Sequence, residues 1–303
     1  MTGYDTYLDN FGNTENYGIE VTISSDNFRR KNFTWSSDFI IAHNTQIVTD
    51  SGAGDEVVPT YTKGTQYLYG YKTGYPVNSL WGYKYGGVWH NQDELDRNKY
   101  THVYASTIKD GANGSNLGRA KYYDINGDGN LDERDVVYLG NTDPVIYGGF
   151  QNDFTLFGKF NISTFISYSW GGQMYNIQEF QLGSSGAYHN KYRYMLNAWH
   201  PTRNPDSDIP MPNTSDGLVS DKYIHDASFL RLKTVSLSYN LNLAKWSKTF
   251  KTLRMGVTGE NLFLLKYYNG FDPDVSTSAT ARRVDAGAFP KARTYTVNLQ
   301  LNF

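Results

Sequence analysis

One pattern constrains this chain more than any other: long stretches where apolar and small polar residues alternate with a period of two. Tyr17, Ile19, Val21 and Ile23 alternate with Gly18, Glu20, Thr22 and Ser24. Phe33, Trp35, Phe39 and Ile41 share one face, and Asn32, Thr34, Ser36 and Asp38 the other. Phe150, Phe154 and Leu156 alternate with Gln151, Asp153 and Thr155, and Phe160, Ile162, Thr164, Ile166, Tyr168 and Trp170 oppose Asn161, Ser163, Ser167 and Ser169. The same beat returns in Val235 to Leu243, in Leu253 to Val257, and most cleanly in Tyr295 to Phe303. Successive side chains of a strand point to opposite faces, so each stretch reads as a strand with one apolar and one hydrophilic side.

The segments run about nine to fourteen residues. Average strands have roughly five or six, whereas a tilted strand needs about nine to eleven to cross a bilayer. The hydrophilic faces carry Ser, Thr, Asn and Gln with few Lys or Glu, which suits a watery interior. No run approaches the roughly 18 apolar residues of a membrane helix. A β-barrel escapes that exclusion because its alternation averages to a polar composition. The 26 Tyr, 16 Phe, 6 Trp and 29 Gly, against only 9 Pro, favour strands and tight turns. A net charge of -2 leaves no basic excess for a nucleic-acid backbone, and the absence of cysteine excludes disulfides, Cys-ligated zinc and thiol chemistry.

Short and long connections alternate. Residues 26–31, Gly158-Lys159 and 244–251 are short; 89–144, 171–228 and 264–291 are long. That is the plan of an outer-membrane barrel, with turns at one end and loops at the other. Residues 65–88, around Gly74-Tyr75-Pro76, read as two further strands or as ordered loop, giving ten spans in the first case and eight in the second. Tyr17, Tyr147, Tyr168, Trp170 and Tyr295 sit at predicted span ends, as interface girdle or as half-buried sheet residues. The chain opens Met1-Thr2-Gly3-Tyr4-Asp5 without a signal peptide. Taken literally that means cytoplasmic. The barrel pattern instead favours a natural start upstream of Met1, with this chain as the tail of something longer.

The sharpest local motif is 124–135, DINGDGNLDERD. Asp124, Asn126, Asp128, Asn130, Asp132 and Asp135 stand at EF-hand ligand positions, with Gly129 at the bend. Alternating hard oxygens of this kind curl around Ca²⁺, here in a structural role. Position 12 holds Asp where a bidentate Glu is usual, and no helix precedes the loop. The competing reading is a set of Asx turns whose carboxylates cap local amides. Catalysis finds no foothold. Gly183-Ser184-Ser185-Gly186 lacks the nucleophile-elbow spacing. His43, His90, His102, His189, His200 and His225 lack metal spacing. No carboxylate pair suggests a glycosidase.

Several stretches together resemble the C-terminal part of SusC/RagA-type TonB-dependent outer-membrane transporters of Bacteroidetes. They are DINGDGNLD from 124, YLGN at 138–141, YGGFQNDF at 147–154, AWHPTRNPDSDIP at 198–210, SFLRLKTVSLSY at 228–239, GENL at 259–262, YYNGFDPD at 267–274 and FPKARTY at 289–295. The resemblance spans most of residues 16–303. It implies an all-β chain forming about eight to ten strands of a 22-stranded antiparallel barrel, with the plug and first barrel half absent. It also implies import of oligosaccharides or peptides, a SusD-like lipoprotein lid, energy from TonB acting through the missing plug, contact with outer-membrane lipids, no enzymatic activity, and Phe303 as the barrel's last residue. Loop aromatics such as Trp89, Tyr188, Trp199 and Tyr267 are candidate solute contacts or loop packing. The rival reading is a soluble β-sandwich adhesin or carbohydrate-binding module with a Ca²⁺ loop, which predicts shorter strands and a charged outer face.

Overall fold

A computed structural model describes residues 12–63, 66–91, 101–102, 117–128, 130–183, 190–211, 217–246, 248–276 and 282–303. Seven strands form one sheet: β1 (Asn13–Arg30), β2 (Phe33–Asp50), β3 (Ile146–Leu156), β4 (Phe160–Trp170), β5 (Phe229–Asn242), β6 (Thr252–Lys266) and β7 (Thr294–Asn302). Their order across the sheet is their order in the chain, and every neighbouring pair is antiparallel. Each alternating segment of the sequence supplies one strand of this meander.

The register aligns the alternations. One apolar row crosses all seven strands through Phe28, Trp35, Phe154, Ile162, Leu237, Val257 and Val297. On the other face a row from β2 to β7 runs through Thr34, Thr155, Asn161, Ser238, Gly256 and Asn298. Asn152 lies among the apolar residues, but its side-chain oxygen accepts a 3.0 Å bond from the Trp35 indole. A polar group on such a face needs a partner of this kind.

The hydrophobic core lies elsewhere. Its largest cluster, which includes Leu68, Leu80, Tyr175, Val219 and Val284, belongs to the long connections. Two smaller clusters, around Tyr83 and Tyr122 and around Met174 and Tyr268, do too. Outside its middle the apolar row stays exposed, Val257 at 50% and Val297 at 70%, with Leu299 beside it at 71%, while Trp35, Phe154 and Ile162 in the middle are half-buried. A sandwich would bury these residues under a second sheet, so their exposure overturns the sandwich reading. The described parts of the long connections form a packed layer rather than open loops. It contains small sheets, such as 85–88 with 120–122, and 173–176 with 224–226 and 284–285.

Three expectations change. Among the described residues the sheet has seven strands, where eight or ten spans were expected. Residues 66–71 and 79–82 instead join 58–63 and 137–141 in a separate four-stranded sheet. At six and four residues they are too short to cross a bilayer, and Leu68 and Leu80 are fully buried in the loop layer. Moreover, β1 and β7 run in the same direction, which requires an odd number of strands in a meander. Second, the tight turn is at Phe157-Gly158, with φ of 54° and 65° and a 3.0 Å bond from the Lys159 amide to the Leu156 carbonyl. Positive φ at both central residues marks a type I′ turn, whose twist suits a hairpin. Third, Tyr147 pairs with Ser169 and faces the hydrophilic side, off the girdle. An aromatic band does mark the turn end of the apolar face, in Phe28, Phe33, Trp35 and Phe154, with ring separations of 5.7–6.4 Å from Trp35 to Phe154 and to Phe28, and Phe160 against Tyr239 at 4.5 Å. At the loop end Trp170 packs edge-on against Tyr267.

Candidate functional site

Where the hydrophilic face meets the loop layer, a cavity of about 530 Å³ opens. Strands supply Asn44, Ser167 and Lys233; loops supply Asp143, Arg282 and Arg283. Lys233 owes its place to a bulge. β5 slips by one residue against both β4 and β6 at this point. The slip keeps Leu230 and Leu232 on the same face as Val235 and Leu237, although unbroken alternation would separate them. Asp143 accepts both side-chain bonds from Asn78, at 2.8 and 3.0 Å, and one from Arg282 at 3.1 Å. Arg283 donates to Ser169 Oγ at 2.8 Å and to the Gly171 carbonyl at 3.2 Å. Burial lowers its pKa from the ordinary arginine value, an effect partly opposed by Asp143.

A buried ion pair lies two residues along the chain from the lining residues Lys233 and Asp274. Arg231 Nη2 meets Asp272 Oδ1 at 2.5 Å, with side chains 4% and 1% exposed. Asp272 also accepts the amides of Asp274 at 2.9 Å and Lys291 at 3.3 Å. Burial pushes this carboxyl up, but the two amides and Arg231 outweigh it and leave it below the usual carboxylate range. Nearby, the Tyr268 hydroxyl donates to Asp285 at 2.7 Å, and Asp285 in turn accepts the amides of Gly287 and Ala288. Burial, then the Asp285 carboxylate, raises the Tyr268 pKa strongly. Beside Tyr268, whose ring centre lies 6.0 Å from that of His225, His225 Nε2 contacts Glu179 Oε2 at 2.5 Å. Lys222 lies 4.8 Å from the Tyr85 ring centre and 5.4 Å from that of Tyr223. Burial pushes its pKa down to about 8, against a smaller upward pull from Glu179.

The 124–135 loop turns inward on itself. Fully buried Asp135 accepts the amides of Ile125 and Asn126 on one oxygen and of Asp132 on the other. Asp124 accepts from the Gly127 amide, and Asn126 from the Asp128 amide. The Arg134 guanidinium bridges Asp128 at 2.7 Å and Asp132 at 2.5 Å. Side-chain and backbone bonds to Arg134 lower the Asp132 pKa. Gly129 and the Asn130 side chain lie outside the described residues. Among those described, no three acidic or His side chains gather as metal ligands. In this conformation the described carboxylates of the loop are engaged by its own amides and by Arg134. Asx turns and an internal cation meet their hydrogen-bonding and charge requirements.

Of the loop aromatics, Trp89 and Trp199 are buried as packing, Tyr267 is exposed against Trp170, and Tyr188 lies outside the described residues. His43 bonds the Val145 carbonyl and Thr45, while His90 meets Ser207 and Asp208. His200 braces its own turn. His189 and the His102 side chain lie outside the described residues. Sequence reading passed over Arg231, Lys233, Asp272 and Arg283 as individual residues. Their only signal was membership in the stretches 228–239 and 267–274, or a place in the 264–291 link.

An exposed apolar row, a hydrophilic reverse face and a packed layer at one end define the wall of an outer-membrane β-barrel. No family model matches the chain. It is 30% identical, over its whole length, to TonB-dependent receptor P3 of Formosa agariphila, of which it covers 30%. It is 26% identical, over 97% of its length, to TonB-dependent receptor SusC of Bacteroides thetaiotaomicron, of which it covers 27%. A structure of the RagAB peptide transporter shares the fold over the whole chain, with a TM-score of 0.77, 21% identity and 31% of that chain covered. The chain is thus related along its length to TonB-dependent receptors of the SusC/RagA kind, and spans about 30% of the relatives it matches. These are outer-membrane receptors and transporters, not enzymes, and the outer membrane is its location.

Proposed function

We propose that this chain is a wall segment and outer mouth of an active transporter that imports oligosaccharides or peptides. The observation that carries the reading is a largely open apolar row across one sheet, while the buried hydrophobic clusters sit in the loop layer. Lipid tails cover the row, and the hydrophilic face lines the solute path. The outer edges of β1 and β7 have no partner among the described residues, and an unpaired edge inside a bilayer is too costly to persist. The remaining strands of a 22-stranded barrel close them. The relationship to SusC and the likeness to RagAB support a SusD-like lipoprotein over the loop layer, with TonB supplying energy through a plug from another part of the protein.

The test is a deletion of the gene in its own host. Uptake of labelled oligosaccharides and peptides is measured with tonB intact and inactivated, alongside fractionation of the protein. The reading expects an outer-membrane band and loss of TonB-dependent uptake of at least one solute class. A water-soluble protein, or uptake unchanged by the deletion, refutes it.

A further inference from the structure

We infer that the cavity between the hydrophilic face and the loop layer binds a carboxylate carried by the imported solute, with Lys233 as the main contact. The inference rests on the import reading and adds the chemistry of what is imported. It follows from where each charge in the cavity is already committed. Asp143 is held by Asn78 and Arg282. Asp274 pairs with Lys291, and Arg231 stands 3.9 Å away. Arg283 spends two donors on Ser169 and Gly171. Lys233 is exposed, and among the described residues no carboxylate lies within ion-pairing distance of it. Its ammonium sits 5.7 Å from the centre of the Phe165 ring.

The position is built rather than incidental. A bulge bordered by two paired strands holds Lys233, and such bulges re-aim a side chain where a strand serves a site. A side chain at Gly149 would come within 2.6 Å of the Phe165 ring, so the glycine leaves that ring room under the ammonium. Arg282 is 71% exposed and commits one donor to Asp143, which leaves its fork available as a second contact. Three cations against two committed carboxylates make the lining net positive. A charge-assisted bond from an ammonium to a carboxylate satisfies it. The carboxylate comes from a peptide, at its C-terminus or an acidic side chain, or from a uronic acid within a glycan.

The test uses the full-length receptor in detergent and two matched pairs of probes. One pair is N-acetylated hexa-alanine with a free or an amidated C-terminus. The other is tetragalacturonate and its methyl ester. Affinities are measured by calorimetry at low and high salt for the wild type, Lys233→Met, Lys233→Arg and the turn control Lys245→Met. The expected result is a roughly tenfold preference for the acid in at least one pair, weaker at high salt. Lys233→Met abolishes that preference, whereas Lys233→Arg and Lys245→Met keep it. The pair that shows it identifies the source of the carboxylate. Absence of acid preference in both pairs, including absence of binding, overturns the inference, as does a preference that survives Lys233→Met. Either failure leaves the import reading standing if deletion of the gene still removes TonB-dependent uptake.

Discussion

Asp272→Ala offers the most direct test of how the loop layer is held. The substitution strands the Arg231 guanidinium, whose side chain is 4% exposed and whose next carboxylate, Asp274, is 3.9 Å away. It also removes the acceptor of two amides, those of Asp274 and Lys291. Breaking one side of a buried pair costs about 3–5 kcal/mol, enough to raise local opening of 267–276 and 282–291 by roughly two to four powers of ten. Hydrogen exchange on the full-length receptor in detergent, followed by peptide mapping, reads that change directly. The strands keep their protection, because their ladder bonds do not involve Asp272. Asp274→Ala is the control: its pair with Lys291 is 42% and 41% exposed, and exposed pairs are worth about 0–1 kcal/mol. Arg231→Met with Asp272→Ala recovers part of the loss, since no charge is then left buried alone. Acid should act in the same direction. The Asp272 carboxyl titrates below the usual range when folded, so its contribution is complete above the unfolded value near 4 and fades as pH falls through the folded one. Equal opening in Asp272→Ala and Asp274→Ala would refute the reasoning.

The remaining predictions concern the sheet and the acidic loop. Val257→Arg puts a charge in the middle of the apolar row and costs about 2–4 kcal/mol in a bilayer, whereas Thr258→Arg on the opposite face costs little; reversible unfolding in lipid vesicles measures both. Gly148→Ala destabilises the sheet by about 1–3 kcal/mol, because the new carbon would fall 1.9 Å from the Ile40 carbonyl oxygen and 2.8 Å from the Tyr168 hydroxyl. Tyr168→Phe loses only the 2.9 Å bond to Ile40, about 1 kcal/mol in the same assay. In limited proteolysis, cleavage within 124–135 is unchanged by EDTA and faster in Arg134→Ala. A chelator effect as large as the substitution would favour the calcium reading of that loop.

The residues differ in how far their roles could be read from the chain alone. All seven strands, their apolar sides and the alternation of short and long connections were legible, because a strand's two-residue period is written in adjacent positions. The acidic motif at 124–135 was equally visible, but its spacing fits a metal shell and a set of Asx turns alike. Only the fold placed Arg134 between Asp128 and Asp132 and buried Asp135 under three amides. The same limit hid the slip at Lys233, the inward turn of Tyr147 and the union of Arg231 with Asp272 across 41 positions. It also hid that residues 66–71 and 79–82 pack into the loop layer instead of extending the wall. Each of these depends on which distant segment lies opposite, through register, packing and charge pairing. Local pattern determined which faces are apolar; tertiary contact decided what those faces and the charges between them meet.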